Sequence, residues 1–270
     1  MRKHRLPLLQ ESAVCRRVRK TLASVQARLG LPLAPADVHQ LRRALKQLRS
    51  WCRLLESTGQ PGIRQLKPTL GGLAAHYGSA RDAQVRLETL EELEAHSGLR
   101  FPQTRARLQH EVPALAAAPE ASTCRRSLDA LEALNALLAG GFPAQAALQR
   151  GLHRSRKKAG DMCQRVWRSP DTDGLHELRK KVKILANQYA LCVDRRGYAG
   201  RDCQRLDRLG RMLGRCHDLA VLRTALSTMA GTAAWRGELD RLEALITAEE
   251  QTLRPESRSL SEECFPGKVR

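Results

Sequence analysis

The feature that most restricts the fold of this chain is an internal duplication with an offset of 137 residues. The segment VHQLRRALKQLRSWCRLLES at 38–57 aligns with LHELRKKVKILANQYALCVD at 175–194, and the alignment places His39 over His176. A second pair, LGGLAAHYGSARDAQV and LDRLGRMLGRCHDLAV, aligns at an offset of 136, and the one-residue change falls in a loop between helices. Further coinciding positions are Arg42 with Arg179, Gly78 with Gly214, and Asp82 with Asp218. Such a repeat predicts two related structural units.

Both units are predicted to be helical. Apolar residues recur at every third or fourth position between turn signals, and Leu, Ala, Arg, Glu and Gln, which favour helices, are abundant. The pattern predicts helices over 8–29, 36–57, 63–96, 101–117, 121–139, 144–168, 173–194, 200–229 and 233–253, followed by a polar tail. The formal charge divides into +10 for residues 1–137 and +9 for residues 138–270. We therefore predict an all-α fold in which 1–137 and 138–270 each form a bundle of about four helices.

The composition narrows the class of protein. The 270 residues carry a formal net charge of +19 and are 42% apolar, which is too apolar for a disordered polyelectrolyte. Only 3% are aromatic, which disfavours proteins that stack single-stranded bases on aromatic rings. No run approaches the roughly 18 apolar residues of a membrane span, and the basic start does not resemble a signal peptide. Eight cysteines without a CxxC pair predict reduced thiols in the cytoplasm and no zinc site. We expect no metal and no cofactor.

The two histidine helices, 36–57 and 173–194, each carry a cationic stripe beside an apolar one. The cations step by three or four residues, and no glutamate lies on the stripe to neutralise them. Like charges four residues apart repel by about 0.2–0.5 kcal/mol per pair, so a stripe repeated in both halves indicates that a bound anion supplies the counter-charge. The predicted anion-binding residues are His39, Arg42, Arg43, Lys46 and Arg49 in the first half, and His176, Arg179, Lys180 and Lys183 in the second.

The helix before each histidine helix is also basic. At the offset of 137, Arg17 matches Arg154 and Lys20 matches Lys157. Two basic helices side by side in a bundle would form a continuous basic wall, which suits a long anion. We therefore include these four residues among the predicted anion-binding positions.

The helix after each histidine helix contributes glycines and an aspartate. The recurring glycines are Gly71, Gly78, Gly210 and Gly214. Each costs about 1 kcal/mol relative to alanine inside a helix, so we expect another backbone or a ligand to approach closely there. Asp82 and Asp218 are isolated acids in basic surroundings, and we predict that they form salt bridges that orient an Arg or His of the histidine helix. Arg81 and His217 precede them and are candidates to join the basic surface.

The motif VHQLRRALKQLRSWCRLLES with GSARDAQV, repeated as LHELRKKVKILANQYALC with GRCHDLAVL, resembles the CHAD family of histidine-bearing α-helical domains. The resemblance extends from about residue 8 to 253. It implies two pseudo-symmetric four-helix bundles around a basic central groove or pore. It further implies that the groove binds inorganic polyphosphate through the cations of the histidine helices, and that the protein is found on polyphosphate granules. The chain departs from the pattern at Ala186, where the second half lacks the counterpart of Arg49.

The residues leave other functions open. A charge of +19 also suits a nucleic-acid-binding protein, although no recognisable nucleic-acid-binding motif is present and stacking residues are scarce. A phosphotransferase or phosphatase would use His39 or His176 as nucleophile or general base, but no carboxylate cluster for Mg²⁺ stands out in the sequence. A scaffold that recruits other proteins to granules is a further alternative. Because duplicated histidines suit a binding surface better than one asymmetric catalytic site, we predict a binding module rather than an enzyme.

Overall fold

A computed structural model describes residues 6–56, 59, 63–139, 143–229 and 233–267. Over these ranges the chain forms ten α-helices, and its extended pairing is limited to two isolated bridges. The helices are α1 (Glu11–Gln26), α2 (Pro35–Glu56), α3 (Ile63–His76), α4 (Gly78–Ser97), α5 (Pro102–Glu111), α6 (Ala121–Ala139), α7 (Gln145–Arg168), α8 (Thr172–Cys192), α9 (Gly197–Ser227) and α10 (Ala233–Cys264). The predicted all-α fold is confirmed.

The helix predicted over 63–96 is two helices, α3 and α4. The chain turns at Tyr77, whose side chain is fully buried. Arg42 of α2 donates a hydrogen bond to the carbonyl of Ala74, and so satisfies one of the carbonyls that the end of α3 leaves free. The apolar period of three to four residues continues through the turn, which is why the sequence predicts a single helix.

The helix predicted over 101–117 is shorter in the structure, where α5 ends at Glu111. Pro113 follows two residues later and disfavours a helical conformation in the residue before it. Beyond the proline, Ala116 exchanges two backbone hydrogen bonds with Leu33, of 3.0 and 2.7 Å. The segment after α5 is therefore held in an extended conformation against the loop before α2.

The last helix is longer than the predicted 233–253, because α10 continues through Pro255 to Cys264. The prediction of a polar tail after 253 is wrong for this stretch. Leu260, Cys264 and Phe265 are buried in the main core of the protein. A few apolar side chains at helical spacing thus anchor a segment whose average composition is polar.

The buried apolar residues form two cores. The main core contains residues from α1, α2, α3, α6, α7, α8, the first part of α9 and the end of α10. It therefore includes residues from both halves of the chain. The second core joins α4 and α5 of the first half to the later part of α9 and to α10. Neither core follows the boundary between 137 and 138, and the division into one bundle for each half stays a prediction.

The two histidine helices, α2 and α8, pack against each other at equivalent positions of the repeat. Gln188 donates a hydrogen bond of 3.1 Å to the carbonyl of Ser50, and the amide nitrogen of Asn187 lies 3.4 Å from the Ser50 hydroxyl. Helix α4 packs against α2, α9 packs against α8, and α4 and α9 pack against each other. These four helices therefore surround one common region.

The described structure also bears on the expected cysteine chemistry and metal content. All eight cysteines have free thiols, and seven of them are buried. Within the described ranges, no group of three or more His, Cys, Asp or Glu residues is placed to hold a metal ion. No helix in the same ranges is long and apolar enough to cross a membrane.

Candidate functional site

Cations from both halves of the chain meet in the region surrounded by α2, α4, α8 and α9. We call this region the basic centre and define it by Arg42, Lys46, Arg81, Arg179 and Lys183, with the histidines His39, His176 and His217. Lys46 of α2 lies close enough to Arg179 and Lys183 of α8 for their charges to disfavour its own. Arg81 of α4 acts on Lys46 in the same way. The basic centre therefore joins residues that the sequence separates by more than a hundred positions.

The lysines show how crowded the positive charge is. Lys46 is exposed, yet its pKa is lowered to about 8, first because neighbouring protein displaces part of the water around its ammonium and then because of its cationic neighbours. The same two causes lower the pKa of Lys183, and Arg179 is the charge with the largest effect. An anion placed in the basic centre would offset the repulsion among these cations and raise both pKa values.

Arg42 and Arg179 occupy equivalent positions and have equivalent surroundings. The Arg42 Nη1 lies 3.6 Å from where a Cβ at Gly78 would be, and the Arg179 Nε lies 3.7 Å from a Cβ at Gly214. Each Nε is buried without a hydrogen-bond partner among the described residues. Burial lowers the pKa of both guanidinium groups, and nearby aspartates act in the opposite direction. Both side chains are thus packed between helices at the floor of the basic centre.

The glycines of α3, α4 and α9 make room for these cationic side chains. The pairs are Gly71 with Arg49, Gly78 with Arg42, Gly210 with Lys183, and Gly214 with Arg179. At Gly210, a Cβ would lie only 3.3 Å from the Cδ and Cε atoms of Lys183. The sequence led us to expect a backbone or a ligand next to the glycines. The expectation of a backbone is corrected, because the nearest atoms belong to the Arg and Lys side chains of the histidine helices.

The two aspartates contact the basic centre differently. The Asp218 carboxylate forms an ion pair of 3.9 Å with the Arg179 Nη2, which is too long for a hydrogen bond, so its role in orienting this guanidinium stays a prediction. Burial raises the pKa of Asp218, while Arg179 and Arg81 oppose the rise. Asp82 is exposed, and its negative charge acts on both Arg42 and Arg179.

Two histidines contact each other at the edge of the basic centre. The Nδ1 atoms of His176 and His217 lie 2.9 Å apart, so one ring donates a hydrogen bond to the other. The pKa of His217 is lowered to about 4, first by burial and then by the charge of Arg179. Burial is also the first cause that lowers the pKa of His176 and of His39, and Arg81 is the charge with the largest effect on His39. All three histidines are therefore mostly uncharged at neutral pH.

Arg81 and His217, which the sequence marks only as neighbours of the aspartates, are full members of the basic centre. They stand at equivalent positions of the repeat, one acting on His39 and the other hydrogen-bonded to His176. Their place immediately before Asp82 and Asp218 in the repeat is the signal in the sequence. It does not reveal that His217 contacts His176, or that Arg81, which pairs with Glu88 at 2.9 Å, acts on His39 through its charge.

Other predicted residues of the histidine helices lie at the margin of the basic centre. Lys180 forms an ion pair of 2.7 Å with Glu177 on its own helix. Arg43 is exposed, and its charge reaches His39. Arg49 packs against Gly71 of α3, and the charge that acts on it most strongly belongs to Arg53 of its own helix. Ala186, which stands at the equivalent of Arg49, is buried.

The predicted basic residues of α1 and α7 are exposed, and Arg17 has a contact outside the basic centre. Arg17 donates a hydrogen bond to the carbonyl of Ala190 in the last turn of α8, at the opposite end of that helix from His176. Lys20, Arg154 and Lys157 are exposed on α1 and α7. The structure thus brings together the cations of α2 and α8, whereas Arg17 lies outside the basic centre.

Comparison with known proteins places this architecture in a family. Residues 13–227, which include both histidine helices, match the CHAD domain. The crystal structure of the CHAD domain from the plant Ricinus communis is similar to this chain with a TM-score of 0.66. The likeness covers 100% of this chain and 97% of that chain at 17% sequence identity, and so concerns the fold alone. No curated protein sequence matches. Because the family match covers well over half of its length, this chain belongs to the CHAD domain family.

Proposed function

We propose that the basic centre binds inorganic polyphosphate and that binding places the protein on polyphosphate granules. The observation that carries the proposal is the meeting of Arg42, Lys46, Arg179 and Lys183 in one region. Their positive charges disfavour one another, as the lowered pKa of Lys46 shows. A polyanion that follows the basic centre would replace this repulsion by attraction. Membership of the CHAD family supports the same ligand class.

The side chains of the basic centre suit a chain of phosphates without bases. Arg42 and Arg179 can each clamp two phosphate oxygens, while Lys46 and Lys183 act as point charges. The neutral histidines donate hydrogen bonds from a ring N–H and gain a proton as the polyanion raises their pKa. Polyphosphate has no ring to stack, which agrees with an aromatic content of 3%.

Replacement of the two arginines tests the proposal. The double variant Arg42→Ala/Arg179→Ala should weaken binding of long-chain polyphosphate by about 100-fold, because two charge-assisted contacts are lost. The slope of log K against log salt should flatten by about 0.7 for each phosphate contact removed. Fluorescence anisotropy with end-labelled polyphosphate at several salt concentrations measures both quantities.

Two controls make the experiment specific. Arg125→Ala/Arg126→Ala removes the same charge from exposed positions of α6 and should leave the affinity within about twofold. Arg42→Lys/Arg179→Lys retains the charge and should weaken binding less than the alanine pair, with the salt slope unchanged. Circular dichroism and thermal unfolding verify that each variant is folded. Equal affinity of the folded alanine pair and the parent protein would refute the assignment.

Two further measurements separate polyphosphate binding from the alternatives. We expect long-chain polyphosphate to displace RNA and DNA at equal phosphate concentration, and displacement in the other direction would favour a nucleic-acid-binding protein. We also propose binding without turnover, so incubation with polyphosphate, with and without Mg²⁺, should release no phosphate. Clear release would show that the protein is an enzyme.

A further inference from the structure

A second compartment adjoins the basic centre. A cavity of about 890 Å³ lies among α4, α5, α8, α9 and α10. His176 and His217 form part of its wall, and the same two rings are under the influence of Arg179 and Lys180. The volume falls within the range of about 300–1,000 Å³ that is typical of small-molecule sites. The histidine pair is therefore the boundary between a large cavity and a dense cluster of positive charge.

The charge of the cavity differs from that of the basic centre. Its charged lining residues are two cations and two anions, Arg86, Arg107, Glu111 and Asp173. Glu111 forms ion pairs with both arginines, at 2.8 Å to Arg86 and 3.5 Å to Arg107. The formal charge of the lining is thus zero when the histidines are neutral. Such a cavity suits an uncharged chemical group, whereas its histidine end faces the basic centre.

The rest of the lining combines an aromatic ring with small and apolar side chains. The α9 side contributes Ala220, Val221 and Ala225, and Met229 follows the end of that helix. Trp235 of α10 lines the cavity, and its Nε1 donates a hydrogen bond of 3.1 Å to the Thr104 hydroxyl, which restrains the indole ring. An indole ring beside small apolar side chains favours stacking of a planar group.

We propose that this cavity holds the nucleoside of a nucleoside polyphosphate whose phosphate tail passes His176 and His217 into the basic centre. The inference rests on the proposed function, because the same cations hold the tail. The uncharged base and ribose match the neutral lining, and the base stacks on Trp235. The histidine pair supplies ring N–H donors where the first phosphates cross from the cavity to the basic centre.

The experiment compares two ligands that share the number of phosphates and differ in the nucleoside. Isothermal titration in EDTA-containing buffer measures Kd for adenosine triphosphate and for tripolyphosphate. Adenosine triphosphate should bind about tenfold more tightly, since stacking of one base on an aromatic ring contributes that much or more. It should also change the fluorescence of Trp235, because Trp51 and Trp167 are buried in the main core.

Two variants test whether the preference for adenosine triphosphate arises in the cavity. Val221→Phe places a bulky ring on the α9 wall of the cavity and Trp235→Leu removes the indole ring, and each should abolish the preference for adenosine triphosphate while the Kd for tripolyphosphate stays within about twofold. Gln204→Phe adds the same side chain at an exposed position of α9 as a matched control and should retain the preference. Thermal unfolding verifies that each variant is folded. If Trp235→Leu is unstable, Val221→Phe alone tests the site.

The outcomes distinguish this inference from the proposed function. Equal Kd values for the two ligands, or a preference that survives both variants, would overturn the nucleoside site. Binding of long-chain polyphosphate without any nucleoside preference would overturn this inference alone. Failure of long-chain polyphosphate itself to bind would overturn the proposed function and this inference with it.

Discussion

Acidification from pH 7.5 to 5.5 should strengthen polyphosphate binding through the histidines of the basic centre. In the free protein, burial and Arg179 lower the pKa of His217 to about 4, and burial lowers the pKa of His176 and His39. A bound polyanion raises these values because it stabilises the protonated rings. A group whose pKa is higher in the complex takes up a proton on binding. Affinity therefore rises as the pH falls through the pKa of the complex, and levels off below the pKa of the free protein.

The size of the effect follows from the pKa of His217. If polyphosphate returns this pKa from about 4 to its ordinary 6.5, protonation strengthens binding by about 1.1-fold at pH 7.5 and about 11-fold at pH 5.5. The expected gain over this interval is about tenfold, or about 1.4 kcal/mol. His39 adds to it in the same direction. Because the Nδ1 atoms of His176 and His217 share one hydrogen bond, a second proton on this pair is opposed by the first.

The assay is a set of binding isotherms at pH 7.5, 6.5 and 5.5 and constant ionic strength. Long-chain polyphosphate keeps the contribution of its terminal groups, which titrate near pH 6, negligible. His217→Gln should lose most of the gain, whereas His153→Gln, at an exposed position of α7, should retain it. The reasoning is refuted if the parent protein binds equally at pH 7.5 and 5.5, or if His217→Gln shows the full gain.

Three further predictions concern the framework of the site. Arg156→Ala should lower the free energy of unfolding by about 3–5 kcal/mol in urea, because Asp202, which is 3% exposed, loses a guanidinium 2.6 Å away. The double variant Arg156→Met/Asp202→Leu should regain much of the lost stability. An Arg156→Ala variant with the same free energy of unfolding as the parent protein would contradict the role of the pair. Gly214→Ala should preserve polyphosphate binding, since a Cβ there has ordinary contact with Arg179. Gly214→Leu should displace the guanidinium and weaken polyphosphate binding about tenfold. Equal Kd values for Gly214→Leu and the parent protein would count against this packing. Raising the pH from 7.5 to 9.5 should weaken binding about 20-fold if the pKa of Lys46, about 8 in the free protein, returns to 10.5 in the complex. Lys46→Arg should remove most of this loss of affinity at high pH. If the loss persists in Lys46→Arg, Lys46 is not its source.

The helices that the sequence predicts with most success are those bounded by clear turn signals. The predicted 121–139 and 144–168 agree with α6 and α7 to within one residue. Where tertiary contacts set the ends, the pattern is a poorer guide. The break at Tyr77 depends on burial of its ring and on a hydrogen bond from another helix. The extension of α10 depends on a few side chains that reach the main core.

The candidate site likewise combines features that the sequence predicts with features that depend on tertiary contacts. The stripe of His39, Arg42 and Lys46 and its copy on α8 are properties of single helices, so spacing alone predicts them. The sequence also reveals the recurring glycines, but it does not predict which atoms lie next to them. Only the packed structure shows that Arg42 and Arg179 fill that space.

Alignment of the chain with itself reveals the duplication. The helical class and the two cationic stripes are predictable because they depend on residues a few positions apart on one helix. Helix packing, by contrast, brings the stripes together in one basic centre, adds Arg81 and His217 to it, and forms a neutral cavity beyond the histidine pair. These features cannot be predicted from spacing along one helix. Charge coupling, burial and cavity shape depend on separations across helices, and these are set when the apolar faces of α2, α4, α8 and α9 pack together.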